Sequence, residues 1–289
     1  MDGSDAPAPR VAVVIPVGGL DDHLATQLDA LGAQHLDEPW ELVLALNDPA
    51  AVGDPRLEEL LDRVPAGRAV EASDVRSASH ARNRGAAATT AEVLVFCDGD
   101  DVVAPGWLAE MVAALAGEPF VGGHLDETAL GIRGQEDWRP PATPGALPTF
   151  LGHPYVVSAN LGVRRELFER IGGFDEALVR GEDMAFSFAA IDLGFPPSYV
   201  PGAVVAYRHR AGLRPLLRQH YLYGQGMSQI IARGGLPAGA RGGAFRANAQ
   251  PVPRRSAVHV ARRAAIAAGR LRGLVAERAT GRARRRFLR

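Results

Sequence analysis

The chain has 289 residues, 47% hydrophobic and 22% charged, enough to bury the core of one large domain or two small ones. Its single cysteine, Cys97, excludes an internal disulfide and a multi-cysteine zinc site, and no apolar run reaches the ~18 residues of a transmembrane helix. The net charge of −1 conceals a split: residues 251–289 carry twelve arginines and one acid, Glu277, so this tail stands at +11 and residues 1–250 at −12.

Residues 1–9 lack the apolar stretch of a secretory signal and read as a disordered start, with a reducing cytoplasm as the expected setting. Val11–Ile15 follows as a buried strand, ended by Pro16, Gly18 and Gly19. Asp21 or Asp22 caps a helix that places Leu24, Leu28 and Leu31 on one face. Trp40–Leu46 is the second strand, closing on Asn47-Asp48-Pro49. Asp54 with Pro55 opens a helix carrying Leu57, Leu60, Leu61 and Val64, and Arg68–Glu71 is a short third strand. Ser77 or Ser79 starts a helix through Thr89 that feeds Val93–Cys97. This last run, apolar with β-branched and aromatic members, reads as a strand buried on both faces. Pro105 opens the next helix, with Trp107, Leu108, Met111, Val112 and Leu115 inward and Gly117 as its stop. Strand alternating with helix predicts a mostly parallel sheet flanked by helices.

The second half is less regular. Phe120–Leu125 reads as a strand, Asp126–Leu151 as a proline-rich loop, and Tyr155–Asn160 as a further strand. Arg164–Ile171 is a short helix ended by Gly172-Gly173. Glu182 and Asp183 open a helix through Leu193, Ser198–Tyr207 is the last strand, and Leu213–Ile231 a long helix. Residues 234–253 have the Gly/Ala/Pro composition of a linker. The tail helix, Ser256–Ala276, puts Val258, Ala261, Ala265, Ala268, Leu271 and Val275 on one stripe.

The chemistry concentrates where Val93–Cys97 runs into Asp98-Gly99-Asp100-Asp101. Open α/β sheets bind ligands at the carboxyl ends of their strands. Asp98 and Asp100, two apart, point the same way from a strand end and suit a hard divalent cation that also holds a nucleotide diphosphate. An acidic Asp-Gly turn is the plainer alternative. Asp183, beside Glu182, stands at a helix start, where an acid cluster stabilises the N-terminus. The helix dipole lowers its pKa, whereas an apolar pocket of Phe174 and Phe186 raises it.

Taken in order, Val13-Val-Ile-Pro16, Asn47-Asp48, Ala81-Arg-Asn-Arg-Gly85, Asp98-Gly-Asp-Asp101, Gly172-Gly-Phe-Asp-Glu176 and Gly181-Glu-Asp183 resemble a family 2 glycosyltransferase of the GT-A fold, over about residues 10–210. The resemblance implies a single α/β, Rossmann-like domain at 10–233, with a nucleotide-binding half (10–117) and an acceptor half (118–233), followed by a linker and an Arg-rich helical tail (254–289). It implies a nucleotide-diphosphate-sugar donor, Mn2+ or Mg2+, inversion at the anomeric carbon, and a hydroxyl acceptor on a glycan or lipid of the bacterial cell surface. Residue by residue, it gives Pro16 and Val17 backbone contacts to base and ribose, Asp48 the nucleoside, and Arg82 the base or phosphates. Asp98 falls near the ribose, Asp100 on the metal, Asp183 as catalytic base and His209 as a further metal ligand. Where many members have two acids, this chain has Asn47 before Asp48. Asn160, Glu182 and Trp138 are the acceptor candidates, Trp138 by stacking on a sugar face.

Two other functions fit less well. A nucleotidyltransferase wants a basic, glycine-rich loop after the first strand, and Val17–Asp22 has no basic residue. A non-catalytic nucleotide-sugar-binding scaffold would have no need of Asp98, Asp100 and Asp183. The Arg-rich tail suits an anionic membrane surface, which would make the protein peripheral on the inner face of the plasma membrane. Contact with the acidic domain and a solvated end are the alternatives. Nucleic acid is not expected, since aromatic residues are absent from the tail apart from Phe287.

Overall fold

The computed structural model describes residues 9–135, 138–139, 145–237 and 257–279. The expected disordered start, most of the expected linker and the last ten residues lie outside them. The chain divides into two compact units: Met1–Leu125 with Val157–Gly173 and Ser198–Ala206, and Asp126–Val156 with Phe174–Pro197 and Tyr207–Arg289.

The first unit holds strands β1 (Val11–Val17), β2 (Trp40–Leu46), β3 (Gly67–Glu71), β4 (Val93–Cys97), β5 (Val102–Val103) and β6 (Phe120–Asp126). Its helices are α1 (Asp22–Gly32), α2 (Arg56–Leu61), α3 (Ala78–Ala87) and α4 (Trp107–Gly117). The second unit begins with the small hairpin of β7 (Thr149–Phe150) and β8 (His153–Pro154). The chain then adds β9 (Asn160–Arg164), α5 (Arg165–Ile171) and, after a helix of the second unit, β10 (Ser198–Ala206) to the first unit. The sheet order is β3-β2-β1-β4-β9-β6-β10-β5. The four strands from β3 to β4 are parallel, whereas β4–β9, β9–β6 and β10–β5 pair antiparallel.

Local chemistry explains the parallel half. Asp21 caps α1 by accepting from the amides of His23 and Leu24, and Ser77 caps α3 through the amide of His80. Leu24, Leu28 and Leu31 of α1 pack on Val13, Ile15, Leu42 and Leu44 in the main core, with Trp107, Leu108 and Met111 of α4. Gly85 allows α3 to approach the sheet, since a Cβ there would lie 2.4 Å from Val14 Cγ1. Because β2 and β4 flank β1 on opposite sides, the sheet reverses its winding at β1, and the crevice at the ends of β1 and β4 is the position where such sheets bind ligands.

The expected strand at Tyr155–Asn160 is displaced: the ladder begins at Asn160 and runs to Arg164, pairing Cys97 with Asn160 and Val93 with Arg164. Gly162 interrupts the apolar run that would have marked it. It is required because a Cβ there would meet Leu115 and Val121 at 2.9 Å. The halves also divide differently from the expected boundary at 117/118, because β6, β9 and β10 complete the first unit's sheet.

In the second unit, α6 (Glu182–Asp192) precedes two long helices, α7 (Leu213–Ala232) and α8 (Ala257–Ala279). Tyr221 lies beside Gly269, Gln225 beside Gly273 and Gln229 beside Glu277, so α7 and α8 run in the same direction. Glycine permits that approach: a Cβ on Gly269 would fall 1.9 Å from the Tyr221 carbonyl oxygen. At the far end Glu277 accepts from Gln229 Nε2 at 3.1 Å and from Arg233 Nε and Nη2 at 3.0 and 2.8 Å.

The stripe read for the tail helix is half-buried at Val258, Ala261 and Ala265 and exposed from Ala268 onward. His259, Arg262, Gly269, Gly273 and Glu277 are buried, whereas Leu271 is 66% and Val275 56% exposed. Close glycine packing and the Glu277 cluster, rather than the aliphatic side chains, select the face that meets α7. No helix among the described residues is long and apolar enough to cross a membrane.

Candidate active site

The acidic loop leaves β4 at Cys97, a thiol whose pKa burial pushes well up, so it serves as a small core side chain. Gly99 folds the loop against the end of β1: a Cβ there would lie 3.2 Å from Leu24 and 3.4 Å from Ile15. Gln27 holds the loop from beneath. Fully buried on α1, it donates to the Asp98 carbonyl at 3.1 Å and accepts from the Val103 amide at 3.0 Å. The loop thus presents Asp98, Asp100 and Asp101, with one carboxylate oxygen of each within 4.8 Å of the others. Three hard oxygen donors at that separation fit a divalent cation.

Arg82 completes this cluster. It is 3% exposed on α3, and its Nη2 donates to Asp98 Oδ1 at 2.6 Å. Asp98 is thereby oriented by a buried cation, while Asp100 stays exposed. At the end of β2, Asp48 accepts from the Ala50 amide at 3.0 Å and from Arg76 Nη2 at 2.7 Å. Pro16 and Val17 close β1 beside Ala45 and Leu46 of β2. The first unit therefore gathers Pro16, Val17, Asp48, Arg82, Asp98 and Asp100 at the carboxyl ends of three neighbouring strands. Gly173 adds a packing reason for the Gly-Gly-Phe-Asp motif: with φ +74°, it lies where a Cβ would come 2.7 Å from Asn83 Oδ1.

Asp183, Glu182, Trp138 and His209 belong to the second unit. Gly181 caps α6 at φ +88°, in the left-handed region, and this places Glu182 and Asp183 in the first turn. Glu182 is buried; Asp183 Oδ1 accepts from the Met184 amide at 2.8 Å. Phe174 and Phe186, 5.1 Å apart between centroids, form an apolar pair in the same unit. Burial raises the Tyr155 and Tyr223 phenols, and the Asp183 charge adds to both shifts. Burial, and then the charge of Arg139, lower His209 to about 4, leaving a neutral imidazole whose Nε2 is 4.0 Å from Glu127 Oε1.

One acceptor candidate is corrected. Asn160 is 1% exposed, and its amide is fully engaged within the first unit. Its Oδ1 accepts from Trp107 Nε1 at 2.8 Å, and its Nδ2 donates to the carbonyls of His124 and Ala203, both at 2.9 Å. It joins β9 to the neighbouring strand and helix and has no group left for a substrate. Sequence reading missed Asp101, Gln27 and Arg76. Asp101 carried a signal, a third acid in the same loop, but period-two reasoning singled out only the first pair.

Sheet, switch point and acidic loop together are those of the GT-A fold. The family model of glycosyl transferase family 2 matches residues 22–172, more than half of the chain, and the chain belongs to that family. It is 30% identical over 166 residues to a pre-mycofactocin glycosyltransferase of Mycobacterium tuberculosis, covering 53% of this chain and 34% of that protein. It thus spans about a third of that relative's length. The glycosyltransferase AglE of Haloferax volcanii is 23% identical, with 77% of this chain and 74% of that one covered. Among solved structures, the fold is similar to the mannosyltransferase PcManGT of Pyrobaculum calidifontis in complex with GDP-Man and Mn2+, at TM-score 0.59 and 23% identity, covering 95% of this chain and 76% of that one. It is also similar to TarS of S. aureus in complex with UDP-GlcNAc, at TM-score 0.56 and 16% identity, covering 77% of this chain and 65% of that one.

Proposed function

We propose that this glycosyltransferase is inverting and metal-dependent, and that it moves a sugar from a nucleotide diphosphate to a hydroxyl acceptor in bacterial cell-surface glycan or glycolipid synthesis. The observation that carries this reading is the triad Asp98, Asp100 and Asp101, with Arg82 buried against Asp98. A bound Mn2+ or Mg2+ supplies electrophilic stabilisation of the leaving diphosphate. Asp100 is its principal ligand in this reading, with His209 as a further one. Pro16, Val17 and Asp48 hold the nucleoside, and Arg82 fixes the carboxylate of Asp98 beside the ribose.

The acceptor oxygen attacks the anomeric carbon as its proton passes to the Asp183 carboxylate. The bond from that carbon to the diphosphate oxygen breaks, and the nucleotide diphosphate leaves with the electron pair. Glu182 and Trp138 are the remaining acceptor-side candidates. Attack from the face opposite the leaving group inverts the anomeric configuration. The configuration of the transferred sugar, read by NMR, tests the mechanism: a product with the donor's own configuration contradicts it. Asp183→Asn should lower turnover about 10²–10⁴-fold.

The outward face of α8 supports a location at the cytoplasmic side of the membrane. Val260, Leu271, Leu274 and Val275 are exposed there among Arg263, Arg270, Arg272 and Arg278, a pattern complementary to an anionic bilayer.

A further inference from the structure

Arg262 lies on the stripe of α8 that packs against α7, is 9% exposed, and has its Nε fully enclosed without a hydrogen-bond partner. Its guanidinium makes no ion pair among the described residues. An arginine cannot relieve such burial by losing its proton, so the cost of its desolvation stands until an anion meets it. A second arginine of the same unit, half-buried, also lacks a carboxylate partner among the described residues. Arg139 donates to the Arg210 carbonyl at 3.3 Å and to no carboxylate among the described residues.

The surroundings are those of an anion site. Burial and then Arg139 depress the Arg262 pKa, so two cationic groups act on each other in a region of low exposure. Burial, and further the charges of Arg262 and Arg139, lower His220 to about 4, although its hydrogen bond to the Leu216 carbonyl raises it. The Tyr223 hydroxyl accepts from Gln219 Nε2 at 2.8 Å and keeps its own proton to donate. Glu127, Asp183 and Glu182 are the acids whose charge reaches this cluster, Glu127 at Arg139 and the other two at Tyr223.

We propose that Arg262 and Arg139 bind a phosphoryl group, with Arg262 as its buried anchor. Two planar guanidiniums present paired N–H donors to tetrahedral oxygens, which suits phosphate better than a single carboxylate. Two sources share that chemistry: the diphosphate of the nucleotide donor and the phosphate of a lipid-linked acceptor. The choice between these sources rests on the transferase reading; the site itself does not.

Calorimetry on the full chain tests it with inorganic pyrophosphate, uridine and guanosine diphosphates with Mn2+, and geranyl phosphate. Wild type is compared with Arg262→Met, Arg139→Gln and Asp100→Ala. Arg262→Met should weaken at least one phosphate probe by about tenfold or more. A loss confined to the nucleotides assigns the donor diphosphate; a loss confined to geranyl phosphate assigns the acceptor. Because the substitution removes an unpaired buried charge, its Tm without added anion should equal or exceed that of wild type. A lowered Tm, unchanged affinity for every probe, or no binding of any probe to wild type overturns the proposal. If nucleotides fail to bind wild type but geranyl phosphate binds in an Arg262-dependent way, the donor reading falls and the phosphate site stands.

Discussion

Arg82 Nη2 and Asp98 Oδ1 meet at 2.6 Å, the one group 3% exposed and the other 29%. The buried cation lies on α3 and the carboxylate in the loop after β4, so a helix and a strand end that are sixteen residues apart are joined at the acidic cluster. Asp98 therefore contributes to stability as well as being a candidate donor-site residue. Asp98→Ala, which removes one charge-assisted hydrogen bond from the buried Arg82 guanidinium, should cost about 2 kcal/mol. Asp100→Ala, at an exposed position, should stay within about 0.5 kcal/mol. Urea unfolding of both variants checks this, and equal stabilities would contradict the division of labour.

Asn160 makes a separate prediction. Asn160→Ala leaves the Trp107 indole N–H and the carbonyls of His124 and Ala203 without their buried partner. It should destabilise the fold by about 3 kcal/mol. At a temperature where the variant is folded, acceptor KM should match that of wild type; a raised acceptor KM with unchanged stability would return Asn160 to the acceptor site.

The outward face of α8 can be tested on vesicles. Pelleting should require anionic lipid and fade as salt is raised, since charge supplies most of the attraction where the apolar residues are few. Leu271→Glu with Val275→Glu should abolish it. Equal binding to neutral vesicles would contradict the electrostatic account.

Much of the first unit was legible because each signal was local. Trp40–Leu46 reads as a strand from its own residues, and Asp21 and Ser77 cap the helices that follow them. The run from Val93 to Asp101 joins a buried strand to an acidic loop without interruption. What escaped depended on partners far away in the chain. The strand at Asn160–Arg164 is marked by a glycine that only its packing against Leu115 and Val121 explains. Gln27 resembled any polar residue beside a leucine stripe until the Asp98 carbonyl and the Val103 amide were seen on its two ends. The tail helix left its partner open between a membrane surface, the acidic domain and solvent; Gly269 and Gly273, four residues apart, were the signal for close approach to another helix.

The central claim is that the carboxylates after β4 hold a nucleotide diphosphate through a divalent metal. Calorimetric titration of a panel of nucleotide diphosphates and their sugars, with and without Mn2+, into wild type and Asp100→Ala tests it most directly. The account predicts that one nucleotide binds, that binding needs the metal, and that Asp100→Ala loses it while remaining folded. Metal-independent binding that Asp100→Ala retains, or no binding of any nucleotide to folded wild type, would contradict it.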